Sequence, residues 1–205
     1  MRRNSALVTI VLFVSGGSAA AQQSTKIDTA IVDKYIQGTF KGASPGWQAR
    51  IVADEAQRLC SETRGTLSPA QDKSLLEAAK ASIVYPADGN VIGDWKKGQQ
   101  LAQRGTGGQF SDTPGGPIGG NCYACHQLSK AELSFGTLGP SLLEYGRIRK
   151  FKPDEAKAAY AKIYNPQAVQ PCSNMPRFGH NKFLSEQLIK DLTAYLFDPE
   201  SPVNK

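Results

Sequence analysis

Residues 122–126 read Cys-Tyr-Ala-Cys-His, two thiols three positions apart with an imidazole directly after them. Such a cluster can attach haem, ligate zinc or cycle between dithiol and disulfide. For haem, the thiols add to the vinyl groups and the adjacent imidazole binds the iron. Two thiols at this spacing share one side of a helical turn, and the histidine is carried beneath the metal. Zinc needs a second ligand pair, yet Cys60, Cys172 and His180 each stand singly and no second Cys-x-x-Cys exists. Thioredoxin-like exchange sets the pair between a strand and a helix, whereas this pair follows a Gly-rich loop. A chance cluster is the bland alternative. The rest of the chain favours haem.

The compartment comes from the first residues. Arg2 and Arg3 precede an apolar run from Ala6 to Val14, and Ala19-Ala20-Ala21 offers an A-x-A-like cut before Gln22. That is the layout of a secretory signal peptide at 1–21, cleaved near Ala21. The run falls short of the roughly 20 apolar residues of a membrane helix, so no span is expected after cleavage; an uncleaved anchor is the alternative. Cleavage takes two arginines and no acid from a chain of 205 residues with formal charge +6. The remaining mild basic balance suits an acidic partner or anionic substrate. With no basic run and no interleaved aromatics it gives no case for nucleic acid.

Iron held by His126 needs a sixth ligand or an open site. Beyond the leader Met175 is the only methionine, in the loop CSNMPRFGH, 49 residues after His126. A Met/His pair raises the reduction potential and suits electron transfer. His180, the only other histidine, competes for the position, and Met175 as a packed core residue is the plain reading. Cys60 and Cys172 remain. In an oxidising compartment a leftover pair defaults to a disulfide, here joining an N-terminal extension to the Met175 loop. Two free thiols, or Cys172 as a ligand or reactive group, are the other readings.

The elements that must position these residues read as helices. Over 26–85, Ile27, Ile31, Tyr35 and Ile36 recur at helical spacing, GASPG at 42–46 interrupts, and a second helix runs from about Trp47 to Cys60. Ser68-Pro69-Ala70-Gln71 is a capping box opening a third helix through Ile83. PADGN at 86–90 looks like a boundary. Asp94 is a plausible N-cap for a helix carrying Trp95, Gly98, Leu101 and Ala102. Gly98 in mid-helix costs about 1 kcal/mol against Ala, which points to close approach of another helix. The stretch 105–122 holds seven glycines and two prolines and is a loop. A helix at about 154–164 and an amphipathic closing helix bearing Leu188, Ile189, Leu192, Tyr195 and Leu196 complete the chain. The fold class is all-α.

GDWKKGQQLA, CYACH, GTLGPSL, MPRFG and a closing amphipathic helix, in that order, resemble a class I cytochrome c domain. GNCYACH, GTLGPSLLEYG, MPRFGHN and DLTAYLFDPESPVN resemble, more narrowly, the SoxX subunits of SoxAX cytochromes. The resemblance spans about 90–205 and leaves 22–89 as a helical N-terminal extension. It implies one covalent haem c on Cys122 and Cys125, with His126 and Met175 as axial ligands. It implies that the Pro140 carbonyl engages the free nitrogen of His126, and that the first and last domain helices cross at Gly98, against Leu192 or Tyr195. It also implies a heterodimer with a SoxA-type cytochrome subunit in the periplasm. That complex joins thiosulfate oxidatively to a cysteine of the SoxYZ carrier, an L-cysteine S-thiosulfotransferase reaction. The bond-forming site is then on the partner subunit, and this chain relays electrons to a downstream small cytochrome c. The Gly/Pro-rich insert at 105–120 departs from the family pattern. A free-standing periplasmic cytochrome c carrier is the alternative function, and a haem enzyme or gas sensor with an open iron site is a third.

Overall fold

The computed structural model describes residues 28–43, 45–108, 112 and 115–205. The leader at 1–21, Ile27 and five residues of the Gly/Pro-rich loop lie outside them. The described residues contain eight α-helices, three short 3-10 turns and no strand, so the all-α expectation holds.

The arrangement is built on one helix crossing. Helix α8 (Glu186–Phe197) starts at Ser185, whose hydroxyl accepts from the Leu188 N–H at 3.4 Å. It buries Ile189, Leu192, Tyr195 and Leu196, each worth roughly 1.5–3 kcal/mol by removal from water. Helix α5 (Trp95–Gln103) starts at Asp94, whose Oδ1 accepts from the N–H groups of Lys96 (2.8 Å) and Lys97 (3.3 Å). The two helices meet at Gly98, as the mid-helix glycine implied. A β-carbon there would overlap the Asp191 backbone carbonyl and sit 2.9 Å from Tyr195 Cβ. Buried Asp191 fastens the crossing at its edge: its Oδ1 accepts from the Asp94 N–H at 2.9 Å and from Gln187 Nε2 at 2.8 Å. One residue away, the Gly93 N–H donates to the Lys190 carbonyl at 3.0 Å.

Two further helices complete this body. Helix α7 (Pro153–Tyr164) buries Ala156, Ala159, Tyr160 and Ile163 and packs on α8. Helix α6 (Tyr145–Ile148) is a single turn without a side-chain cap from its own preceding residue. Asn204, near the C-terminus, serves instead. Its Oδ1 accepts from the N–H groups of Gly146 (3.0 Å) and Arg147 (3.1 Å), and its Nδ2 donates to the carbonyls of Leu196 (3.1 Å) and Asp198 (2.9 Å). The end of the chain thereby joins α6 to α8.

Before these helices come α1 (Thr29–Thr39), α2 (Pro45–Ile51), α3 (Glu55–Glu62) and α4 (Pro69–Ala81). The expected single helix from Trp47 to Cys60 is two, α2 and α3. The break follows from Asp54, which is extended and forms a capping box: its Oδ1 accepts from the Gln57 N–H, and Gln57 Oε1 accepts from the Asp54 N–H, both at 2.9 Å. An Asp that caps a new helix cannot also continue the old one. The Ser68/Gln71 box of α4 forms as expected. That helix ends at Ala81, two residues short of Ile83. There the Ser82 hydroxyl donates to the Ala79 carbonyl (2.7 Å) and accepts from Asn165 Nδ2 (2.9 Å).

The first four helices are fastened to the rest at several points. Tyr160 Oη donates to the Val84 carbonyl at 3.2 Å, and the Tyr85 and Tyr160 rings stack 5.8 Å apart. Cys60 in α3 and Cys172 form a disulfide across a sequence separation of 112, with their Cα atoms 5.4 Å apart. Chain-entropy reasoning gives a cross-link of that span about 4–5 kcal/mol. Arg177 Nη1 donates to Asp54 Oδ2 at 2.7 Å. Burial would raise the Asp54 carboxyl; the Gln57 N–H bond and then the Arg177 bond and charge outweigh it and hold it below its ordinary value.

Gly98→Ala should cost about 1–3 kcal/mol of stability, because the new methyl meets backbone that cannot rotate away. Urea unfolding of the purified protein measures this. A change within a few tenths of a kcal/mol would mean that the helices do not touch at Gly98.

Candidate functional site

The Cys-x-x-Cys-His segment is set against the C-terminal end of α5. The Gly120 N–H donates to the Leu101 carbonyl (2.8 Å), and the Asn121 N–H to the Arg104 carbonyl (3.1 Å). Asn121 then takes a left-handed conformation, φ 49°, and Cys122–Ala124 form one 3-10 turn. The N–H groups of Cys125 (3.1 Å) and His126 (2.9 Å) both donate to the Cys122 carbonyl. Cys122 and Cys125 are both unpaired thiols.

The GTLGPSL segment runs alongside. N–H groups of Gly136, Gly139 and Leu142 donate to the carbonyls of Tyr123, Cys125 and Gln127, each at 2.8 Å. This lacing brings the Pro140 carbonyl to 2.7 Å from His126 Nδ1. A carbonyl can only accept, so Nδ1 carries the proton and Nε2 keeps the lone pair that a metal requires. Gly139 makes room for this contact. A β-carbon there would lie 2.5 Å from Nδ1 and 2.8 Å from Nε2 of the ring.

Cys122, Cys125, His126 and Met175 line one cavity of about 1660 Å³. Ordinary small-molecule clefts run to roughly 300–1,000 Å³. The wall is largely apolar, with Leu128, Leu142, Ile163, Phe178, Leu192 and Leu196 among its lining. Met175 is half-buried and packs against the hydrophobic core, and its N–H donates to Ser173 Oγ at 3.3 Å. Pro140 and Cys172 also line the cavity; Cys60 does not, and meets it only through its disulfide to Cys172.

This donor set fits a large planar iron macrocycle: a broad apolar slot, two unpaired thiols at one edge, an imidazole in the ligating tautomer and a thioether. It does not fit the other readings. Among the described residues no group of three or more His, Cys, Asp or Glu side chains could hold a bare metal ion. Burial, with a smaller push from Cys125, raises the Cys122 thiol to about 12, whereas exchange chemistry relies on a lowered thiol pKa.

The profile of the cytochrome c family matches residues 95–198, about half of the chain. The chain belongs to the cytochrome c family. Membership makes it an electron-carrier haem protein with covalently bound haem c. The cytochrome is also similar to a protein of Aquifex aeolicus (strain VF5) described as an uncharacterized lipoprotein. The two are 38% identical over 206 residues, covering 97% of this chain and 98% of that one. Coverage that wide includes the extension as well as the part matched by the family profile.

Some parts of the cytochrome's site were not anticipated. Gly46, Trp47, Arg50 and Val52, in and just after α2, line the cavity, and the Arg50 guanidinium lies 4.9 Å from the centre of the Trp47 ring. Asp54, Arg177 and His180 also line it. His180 is exposed. Burial first, then the Arg177 charge, lower its pKa against the opposing pull of Asp54. The Asp54-x-x-Gln57 capping signature was readable in the sequence and marks where α3 begins. Nothing local signals that Asp54 pairs with Arg177.

Gly139→Ala should push the His126 ring off the Pro140 carbonyl. Losing such an outer partner typically costs about 10–100-fold in metal affinity. The ratio of haem absorbance to protein in the purified variant, with the low-spin signature of its spectrum, reports this. A variant as fully loaded and as low-spin as the parent would contradict the assignment.

Proposed function

We propose that this cytochrome is the SoxX-type electron-relay subunit of a SoxAX complex. The observation that carries the reading is the single constellation of Cys122, Cys125, His126 with its Pro140 partner, and Met175 around one cavity. The sequence has one Cys-x-x-Cys-His, so the chain supplies one haem c. Bound haem supplies reversible one-electron iron chemistry, and a Met/His axial pair tunes it toward electron transfer.

The chain's own residues hold and shield the group. Cys122 and Cys125 would hold the haem through thioethers. His126, oriented by Pro140, and Met175 would supply the ligands to its iron. Met175 is preferred to His180 because it packs into the core while His180 is exposed beside the Arg177–Asp54 pair. The oxidative coupling of thiosulfate to a SoxYZ cysteine then takes place on the SoxA-type partner, with this subunit passing electrons to a small cytochrome c. The wording of GTLGPSLLEYG, MPRFGHN and DLTAYLFDPESPVN supports the SoxX assignment.

An obligate subunit exposes apolar surface near its cofactor. Leu138, at the cavity mouth, is 90% exposed, and Leu133 is fully exposed in the same connecting segment. Ile148, also lining the cavity, is 67% exposed. These residues support a heterodimer over a free-standing carrier. A periplasmic location is supported by the leader-like residues 1–21 and by the lipoprotein description of the Aquifex aeolicus relative. Among the described residues no helix is long and apolar enough to cross a membrane.

The purified protein should show a low-spin c-type spectrum with the weak red band of Met bound to ferric iron, lost in Met175→Ala. A variant with an unchanged spectrum and potential removes Met175 as the ligand. Expressed with its genomic neighbours, the subunit should copurify with a second haem protein in equal amounts. Recovery as a lone monomer favours the free-standing carrier.

A further inference from the structure

Two ties from the extension to the Met175 loop come from one helix. Asp54 is the N-cap of α3, and Cys60 lies six residues on in the same helix, about 9 Å along its axis. Their partners flank the methionine. Cys172 is three residues before Met175 and Arg177 two after it. The span between has little backbone support of its own. Pro176 has no N–H to give, and among the described residues the N–H bonds of Ser173 and Met175 are local, Ser173 to Gln170 O (3.2 Å) and Met175 to Ser173 Oγ (3.3 Å). Cys172 is held at φ 57°, a left-handed conformation disfavoured for a residue with a β-carbon.

The Asp54 carboxylate is fully committed, with Oδ1 capping α3 and Oδ2 bonded to Arg177. Arg177 is 9% exposed, so without Asp54 a buried charge would lose its counter-ion. Arg58 of the same helix pairs with Asp33 of α1 at 3.0 Å, a contact separate from either tie to the Met175 loop.

We propose that α3 braces the Met175 loop, the Cys60–Cys172 disulfide and the Asp54–Arg177 pair together keeping Met175 on the iron. This rests on the reading of Met175 as sixth ligand. It assigns Cys60, Cys172, Asp54 and Arg177 as positioning residues. The N-terminal extension then keeps small molecules off the metal by suppressing local opening of the loop.

The test uses the ferric, haem-loaded full-length protein and measures its rate of cyanide binding, which requires Met175 to leave, beside the red Met–iron band. The Cys60→Ser/Cys172→Ser variant should bind cyanide about 10–100-fold faster, the size of effect seen when outer supports of a metal ligand are removed. Asp54→Ser keeps a capping hydroxyl but cannot reach Arg177. It should accelerate binding in the same direction, and it serves alone if the double cysteine variant does not mature. Asp33→Asn, which loosens α1 from α3 without touching either tie, should bind at the parent rate. Parent-like rates in the brace variants overturn the proposal, as does equal acceleration in Asp33→Asn. A parent protein that lacks the red band signals instead that the Met175 assignment itself has failed.

Discussion

The site depends on α5 and α8 approaching to backbone contact at Gly98. That contact fixes where the C-terminal end of α5 sits, and the carbonyls of Leu101 and of the cap residue Arg104 receive the Gly120 and Asn121 N–H groups that launch the cysteine turn. The same contact decides how α8 presents Leu192, Tyr195 and Leu196 to the cavity. The covalent edge of the site and its apolar wall are therefore registered to one crossing. Asp191 adds a polar check on the register, since its carboxylate reaches the Asp94 N–H only when the helices are at the right height.

Much of this was legible because the strongest signals are local. A cap, a mid-helix glycine and a Cys-x-x-Cys-His run each state a backbone requirement within a few residues, and Asp94, Gly98 and the Ser68/Gln71 box all sit where those requirements placed them. The periodicity from Trp47 to Cys60 misled, because apolar spacing continues through a break enforced by a single capping aspartate. Other features were beyond a local reading. Asn204 supporting α6, Arg177 meeting Asp54, and Trp47 and Arg50 reaching the cavity all join residues separated by tens of positions or more. Such contacts are decided by packing, which leaves no periodic trace.

The cavity also bears on stability. A cavity of about 1660 Å³ in so small a chain leaves apolar lining without protein neighbours on one side. Half-buried groups on its wall, such as Leu142 and Met175, gain further burial against a bound partner, so the family's haem c acts as part of the core as well as its chemistry. Binding energy of this kind is folding energy. From the extension, α2, Val52 and the start of α3 add to the wall supplied by the family-matched segment.

The four cysteines have two fates in one chain. Four thiols can be fully paired in three ways, and every one of them uses up Cys122 and Cys125. Residues 60 and 172, far apart in sequence, are joined, while the two near neighbours stay unpaired with each other. Proximity along the chain favours the opposite outcome. Covalent haem attachment needs Cys122 and Cys125 as thiols, so one chain has to form the distant disulfide and avoid the near one.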